Sequence, residues 1–267
     1  MYPNHNSSIC TYLPDNVSEY YNAYTWVVGN SRNGIKVGYP ITSMTGYIYE
    51  RNSKGQILIN PSTGIPTTTS TWEYMGDRHE KLNMGITTSL SYKGFRLSAL
   101  ISSKFGMSIM NGTKYNMMDR GQSLESVALR DGRAVVFNGV LKNGNEESAN
   151  PTPNNISVTY KNYGSTTIYT GSVEDWFEKD VNFLRLSELR LSYNVPAKWL
   201  HNATRKFVNS ANIWVKATDL FTITNYSGID PVGNSASASL GGYGGIGIDY
   251  WGLPSPRGYS FGVSLTF

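Results

Sequence analysis

The first residues that could do chemistry are a run of carboxylates. They are Glu174, Asp175, Glu178 and Asp180. Paired carboxylates can hydrolyse glycosidic bonds, and clustered carboxylates can bind calcium. Lys179 lies among them, however, and charge runs usually mark exposed segments. The run therefore predicts a solvated loop or a short helical turn rather than a catalytic site.

A glycine-rich segment at 242–247 matches the G-x-G-x-x-G pattern of dinucleotide-binding loops. Such a loop has to open a helix whose N-terminus holds the pyrophosphate. The residues that follow, 249–254, read DYWGLP and cannot extend a helix. We therefore interpret the segment as a flexible glycine-rich loop.

Metal-ligating residues are scarce. Cys10 is the only cysteine, which excludes an intrachain disulfide and a cysteine-rich metal site. The three histidines, His5, His79 and His201, have no ligand spacing. We expect no metal, no cofactor and no enzyme activity.

Six aromatic residues fall in the long connections between predicted strands. They are Trp72, Tyr74, Trp176, Tyr243, Tyr250 and Trp251. Amphipathic rings in such positions could stack on sugars or pack on a partner protein. They could also pack loop against loop, which would leave them without a binding role. Both interpretations stay open at this level.

Composition favours strands and turns. Aromatic residues make up 13% of the chain and charged residues only 16%, with 27 glycines. The net charge of +4 comes without a basic run interleaved with aromatics, which argues against nucleic-acid binding. No apolar run approaches the ~18 residues of a membrane helix, so any membrane passage would be by strands. The polar first residues do not read as a signal peptide.

Alternation with a period of two predicts strands at about 82–92, 95–107, 181–195, 211–223 and 257–267. The first two form a hairpin that turns at Lys93-Gly94, where the apolar phase switches. A bulge near Ser187 brings Leu184 and Leu186 into phase with Leu189. The fold class is therefore all-β.

A soluble β-sandwich and a lipid-facing barrel wall both produce such alternation. The second face of these strands consists mainly of Ser, Thr, Asn and Gly, whereas a soluble sheet usually carries charges there. Connections are short at one end, at Lys93-Gly94 and after Pro196, and long at 29–81, 108–180 and 224–257. Both features are typical of a transmembrane antiparallel β-barrel, with the long loops extracellular.

Several short motifs, in this order and spacing, resemble the C-terminal part of SusC/RagA-type TonB-dependent outer-membrane transporters. They are VGYP at 37–40, GY at 46–47, SYKGF at 91–95, FLRL at 183–186, LRLSY at 189–193 before Pro196, DLFT at 219–222, GIDP at 228–231, and PR at 256–257 ahead of Phe267. The resemblance covers most of the chain.

The resemblance implies a barrel of 22 strands in the outer membrane of a Gram-negative, Bacteroidota-like bacterium. It also implies import of glycans or peptides, energy from the TonB complex through an N-terminal plug, and a SusD-like lipoprotein as a lid. The six loop aromatics would then be contacts for the substrate or the lid. The chain carries no plug and only part of the strands, so we expect a fragment, a truncated product or one piece of a split barrel. The alternative is a soluble secreted glycan-binding β-sandwich protein.

The last strand places Tyr259, Phe261 and Phe267 on its apolar side. A terminal strand with this aromatic pattern is what the barrel-assembly machinery is expected to recognise, through pairing at an exposed strand edge. The same residues would also serve as a plain surface against outer-membrane lipid.

Overall fold

The computed structural model describes residues 2–21, 31–127, 134–159, 172–205, 207–232 and 246–267. Its strands, in chain order, are β1 (Tyr2–Asn4), β2 (Tyr20–Tyr21), β3 (Ser31–Arg32), β4 (Gly34–Ile35), β5 (Ser43–Gly46), β6 (Leu58–Ile59), β7 (Glu73–Asp77), β8 (Leu82–Tyr92), β9 (Phe95–Asn111), β10 (Ala134–Val135), β11 (Val140–Leu141), β12 (Val158–Thr159), β13 (Phe177–Val195), β14 (Ser210–Thr218), β15 (Thr222–Thr224), β16 (Ile248–Asp249) and β17 (Gly258–Thr266). Its helices are α1 (Gly112–Asp119), α2 (Leu124–Val127) and α3 (Ala197–Thr204), with a 3-10 turn at Val173–Trp176. None of the described helices is long and apolar enough to cross a membrane.

One sheet with long strands forms the framework of the described part. Its strand order is β1-β8-β9-β13-β14-β17, and these neighbours are antiparallel. The predicted hairpin is confirmed, since β8 and β9 pair from Leu82 opposite Phe105 down to Tyr92 opposite Phe95. The all-β fold is confirmed as well, whereas the count of 22 strands stays a prediction.

The hairpin turns where both of its central residues take a left-handed backbone conformation. Lys93 has φ of 44° and Gly94 has φ of 86°. This combination matches a type I′ turn, whose twist suits the right-handed twist of the two strands. A side chain at position 94 would also meet the carbonyl oxygen of Asn194 at 3.1 Å, so the position favours glycine twice over.

The apolar residues of the five long strands form continuous rows across one face of the sheet. One row is Leu90, Leu97, Leu191, Val215 and Phe261, and the next is Tyr92, Phe95, Tyr193, Ile213 and Val263. We call this surface the apolar face. No described residue covers it, because Phe261 is 85% exposed and Val263 is 60% exposed. Large apolar surfaces of this extent are rare on soluble proteins.

The opposite surface, the polar face, carries the alternate residues of the same strands. One row is Ser89, Ser98, Arg190, Lys216 and Ser260. The small-residue pattern predicted an uncharged face, but Lys216 forms an ion pair with Glu188 at 3.5 Å. The guanidinium of Arg190 lies 4.9 Å from the ring centroid of Trp214. Charged side chains on this face cost little free energy if the face borders water, as the inner surface of a barrel does.

The two ends of the sheet differ as the sequence predicts. The turn at Lys93-Gly94 and the connection through α3 lie at one end, which we call the short rim. The connections from β9 to β13 and from β15 to β17 lie at the other end, the long rim. At the short rim, Phe95 and Tyr193 pack 4.4 Å apart between ring centroids. Aromatic residues at a rim are typical of the membrane-water interface.

Strands β9 and β13 extend beyond their predicted ends at the long rim. The sequence predicts 95–107 and 181–195, whereas the strands run to Asn111 and start at Phe177. The extension of β9 is buried on both sides, because every residue from Met107 to Asn111 is buried. Alternation disappears when both faces of a strand are buried, so the sequence pattern could not indicate it.

The predicted strand 211–223 is interrupted at residues 219–221, and its last residues belong to the short strand β15. The structure breaks it after Thr218, and Asp219 takes a φ of 50°. The break lies opposite the predicted bulge, which is confirmed by the register shift between Leu186 and Glu188. The amide of Asp219 donates to the carbonyl oxygen of Ser187 at 3.1 Å, so the bulge in β13 bends its neighbour.

The connections at the long rim fold back onto the wall and form a layer of their own. We call the described residues of 31–80, 112–176 and 225–255 the loop layer. Its small sheet of β3, β5 and β7 approaches the wall closely, since a side chain at Gly76 would meet the Phe177 ring at 2.7 Å. Its buried apolar residues Met44, Met75, Val173 and Ile248 form one core cluster together with Met110 and Phe177 of the wall. The layer is therefore packed structure and not a set of free loops.

Candidate functional site

The loop layer contains the predicted aromatic residues, and it holds Trp72 and Tyr74 at half-buried positions in and beside β7. The Tyr74 ring stacks on Tyr39 with centroids 4.3 Å apart, and the Trp72 ring packs on Tyr47 at 4.7 Å. The guanidinium of Arg32 lies 3.9 Å above Trp72. These two aromatics thus have partners within the layer.

Trp176 and Tyr250 lie in a second place, against the methionine-rich core of the layer. Trp176 contacts Tyr115 edge to face, with centroids 6.0 Å apart. Trp251 is 46% exposed and has a φ of 55°. Tyr243 lies outside the described residues. Trp72 and Tyr74 thus pack on Tyr47 and Tyr39, whereas Trp176 packs on Tyr115.

The acidic run of the sequence does not come together as a pair. Glu174 forms an ion pair with Arg51, and Asp175 accepts from the hydroxyl of Tyr49. Glu178 accepts from the side chain of Asn111, 3.0 Å away. Asp180 lies at an exposed ion pair with Lys81. Each carboxylate has its own partner, and the described residues hold no group of three or more potential metal ligands.

A buried ion pair joins two of the short motifs, which reasoning from the sequence did not pair. Arg185 of β13 donates to Asp230 at 2.5 Å, and both side chains are over 90% buried. Burial would raise the pKa of Asp230, but amide donors at Ser255 and Val232 and the charge of Arg185 outweigh it and lower the pKa. The pair fastens the segment around Asp230 to the wall. Its only sequence signal was the presence of both residues in the FLRL and GIDP motifs.

A second buried polar cluster surrounds Asp249. The hydroxyl of Tyr226 donates to one carboxylate oxygen at 2.7 Å, and the hydroxyl of Thr113 donates to the other at 2.8 Å. The amide of Trp251 in turn donates to the Thr113 hydroxyl at 2.7 Å. Burial, together with the nearby carboxylate, raises the pKa of Tyr226 far above its ordinary value, so the phenol stays protonated. The cluster fixes the position of Trp251.

A cleft of about 290 Å³ opens between the loop layer and the polar face. Its lining is formed by Thr42, Arg78, His79, Glu80, Lys104, Met107, Ile109, Pro231, Val232, Ile246 and Gly247. We call it the Arg78 cleft. Lys104 reaches it from β9 and forms an ion pair with Glu80 at 3.1 Å. Of the glycine-rich segment 242–247, only Ile246 and Gly247 are described, and both line this cleft.

The predicted terminal residues lie on the edge strand β17. Tyr259 and Phe261 project from the apolar face and are 76% and 85% exposed. Phe267 lies just beyond the strand at the short rim and packs on Phe207, with centroids 5.2 Å apart. Among the described strands, β17 pairs only with β14, so its other edge is open to a further strand.

The bare apolar face, the aromatic short rim and the loop layer together define the wall of a transmembrane antiparallel β-barrel with long loops at one end. No model of a known protein family matches the chain. Its sequence is 25% identical over 214 residues to the TonB-dependent receptor P3 of Formosa agariphila, covering 80% of this chain and 19% of the relative.

Solved structures of the RagAB peptide transporter have the same fold. The first superposes with a TM-score of 0.60 at 20% identity, covering 99% of this chain and 26% of the other. The RagAB peptide importer in its open-open state gives a TM-score of 0.58, again at 20% identity and over 99% of this chain. The chain thus spans about a quarter or less of the length of these proteins. The resemblance to the C-terminal part of SusC/RagA-type TonB-dependent transporters is confirmed.

Proposed function

We propose that this chain is the C-terminal barrel part of a TonB-dependent importer of glycans or peptides in the outer membrane of a Gram-negative bacterium. The observation that carries the proposal is the apolar face, whose rows cross five strands and have no described residue in front of them. Such a large apolar surface is unfavourable in water and favourable against the hydrocarbon of a lipid bilayer. The similarity to a TonB-dependent receptor and to peptide importers supports transport as the activity.

The long rim faces outward in this proposal, and the loop layer meets the substrate and a SusD-like lid lipoprotein. Trp251 and Tyr39 are the aromatic residues of this layer with the most accessible rings among those discussed above, at 46% and 40% exposure. Trp72, Tyr74, Trp176 and Tyr250 are half-buried in the same layer. Energy would come from the TonB complex through the N-terminal plug that the family resemblance implies.

The soluble glycan-binding sandwich is the less favoured alternative. A sandwich buries the apolar side of each sheet against a second sheet about 10 Å away. In the described part of the chain, the apolar face has no such second sheet, and Phe261 and Val263 remain mostly exposed. The loop layer packs on the other, polar side.

Fractionation and uptake test the proposal together. We expect the protein in the outer-membrane fraction, where it should show a heat-modifiable band typical of a folded barrel. Cells should take up labelled oligosaccharides or labelled peptides only when both this protein and the TonB complex are present. Recovery of the protein as a soluble species without detergent, or uptake that is unchanged by its deletion, would contradict the proposal.

A further inference from the structure

We propose that the Arg78 cleft binds the C-terminal carboxylate of a peptide whose last side chain is apolar. The inference rests on the proposed import function and names the part of a substrate that this chain would recognise. A volume of about 290 Å³ lies at the small end of ligand pockets, which run from ~300 to 1,000 Å³. The cleft therefore suits the end of a ligand rather than a long oligomer.

The charges of the cleft leave one cation available. Lys104 and Glu80 form an ion pair, and its charges largely cancel. Arg78 has no acidic partner within ion-pair distance among the described residues, and its guanidinium donates only a long hydrogen bond, 3.4 Å, to the carbonyl oxygen of Ser43. The neighbouring Asp77 is occupied, because its carboxylate accepts from the Thr42 hydroxyl and from the amide of His79.

A partly desolvated guanidinium is a strong site for a carboxylate. Burial lowers the pKa of Arg78, and the charge of Asp77 opposes this only in part, so the cation is short of favourable contacts. Arginine presents parallel N–H donors that match the two oxygens of a carboxylate. A carboxylate that enters the cleft would restore to the guanidinium the interactions it lost on burial.

The residues that line the cleft determine which kind of group next to the carboxylate can bind. Met107, Ile109, Val232 and Ile246 supply apolar surface around the charged groups. An apolar side chain next to a free C-terminus fits both features at once. A sugar acid also carries a carboxylate, but its hydroxyl groups would lose water against these walls without gaining partners.

Calorimetric titration of the intact protein in detergent tests the site with three probes: N-acetyl-Leu-Leu with a free carboxylate, the same dipeptide as its C-terminal amide, and glucuronate. We expect the free acid to bind and the amide to bind at least ~10-fold more weakly, as befits the loss of a charge-assisted bidentate contact. Equal affinity for acid and amide would overturn the proposal. Glucuronate binding as tightly as the dipeptide acid would overturn the peptide assignment.

Variants locate the effect. Arg78→Gln should weaken binding of the dipeptide acid ~10-fold or more, and Arg78→Lys should recover part of the loss because it keeps the charge without the fork. Arg120→Gln is the matched control, an exposed arginine outside the cleft. Each variant should retain the heat-modifiable band of the unchanged protein. Unchanged affinity in a folded Arg78→Gln variant would contradict the assignment.

The two proposals fail in different ways. If the protein supports TonB-dependent uptake but does not bind the dipeptide acid, the Arg78 cleft is not the recognition site and the import function stands. If the protein binds the acid through Arg78 but uptake does not depend on the protein or on TonB, the import function is wrong and the binding site stands.

Discussion

At the scale of single residues, the fold depends on a few buried polar contacts that fasten the loop layer to the wall. The ion pair between Arg185 and Asp230 is the clearest of them, because both side chains are nearly inaccessible. Removing one partner of a buried pair leaves the other charge without compensation, which costs more than the pair itself contributes. The exposed ion pair between Lys81 and Asp180 has no such consequence, because water replaces the lost partner.

We therefore expect Asp230→Ala to lower the free energy of unfolding by about 3 kcal/mol, with Asp219 at 3.9 Å from Arg185 offsetting only part of the loss. The control Asp180→Asn, which removes the charge but suits the φ of 51° at this position, should change it by less than about 1 kcal/mol. Urea unfolding in detergent micelles measures both.

The stabilising effect of the buried pair also depends on pH. Because the pKa of Asp230 is lowered in the folded state, the contribution of Asp230 to stability is complete above the ordinary pKa of ~3.9 and is lost as the pH falls through the lowered value. Equal effects of the two substitutions would contradict the role of the buried pair.

Neighbouring residues of β17 should respond oppositely to the same substitution. Val263 lies on the apolar face opposite Ile213, whereas Ser264 lies on the polar face opposite Asn212. Val263→Arg should cost roughly 2 to 4 kcal/mol near the bilayer midplane, and Ser264→Arg should be tolerated. The measurement is the amount of heat-modifiable barrel in purified outer membranes. Normal assembly of Val263→Arg would mean that this face does not meet lipid.

At the scale of elements, the turn at Lys93-Gly94 and the edge strand β17 are the two parts in which a few residues determine how the element pairs or assembles. The turn at Lys93-Gly94 sets the register of β8 against β9, and a slip by one residue would exchange the apolar and polar faces. The edge strand β17 ends in aromatics that contact few described residues besides Phe207.

Gly94→Ala should destabilise the hairpin by about 1 kcal/mol or more, because alanine disfavours the positive φ of 86° and its methyl group would crowd Asn194. Gly85→Ala is the matched control in β8, where a side chain would meet open space. The midpoint of thermal unfolding should fall for the first variant and not for the second. A fall in the control alone would show that the turn conformation is not the limiting feature.

Deletion of Phe267 should impair assembly, because it removes the terminal aromatic expected to be read by the barrel-assembly machinery. Phe207→Ala separates this effect from packing, since it removes the ring contact at 5.2 Å and leaves the terminal strand unchanged. Folded barrel in outer membranes should decrease for the deletion and remain near normal for Phe207→Ala. A similar decrease in both would indicate that Phe267 acts only through its contact with Phe207.

At the scale of the whole molecule, the asymmetry of the two rims is the main feature. One rim has a two-residue turn and the connection through α3, and the other carries a packed layer that shares a core cluster with the wall. In the proposed importer, the long rim would meet the substrate on the outer side of the membrane. The loop layer and the Arg78 cleft both lie at this long rim.

Cysteine labelling tests this orientation on intact cells, in a background where the buried Cys10 is replaced by serine. Asn150→Cys lies at an exposed position of the loop layer and should react with an impermeant maleimide without further treatment. Lys93→Cys at the turn of the short rim should react only after the outer membrane is opened. The reverse pattern would invert the proposed topology.

The sequence by itself determined the wall. Alternation fixed the two faces of β8, β9, β13, β14 and β17, the turn at Lys93-Gly94, and the bulge near Ser187, because each strand has one side in a uniform environment and the pattern is local. The short motifs predicted a resemblance to TonB-dependent transporters, and the comparisons confirm that resemblance. The order of long and short connections likewise predicted the asymmetry of the rims.

Only the tertiary structure decided what the long connections do. The extension of β9 past Met107 was invisible because burial on both sides removes the period of two. The pairing of Arg185 with Asp230 joins residues 45 positions apart, and the Arg78 cleft joins residues from five segments of the chain. Such sites depend on which side chains come close together when the loops pack on the wall. A local sequence pattern carries no information about contacts between residues so far apart in the chain.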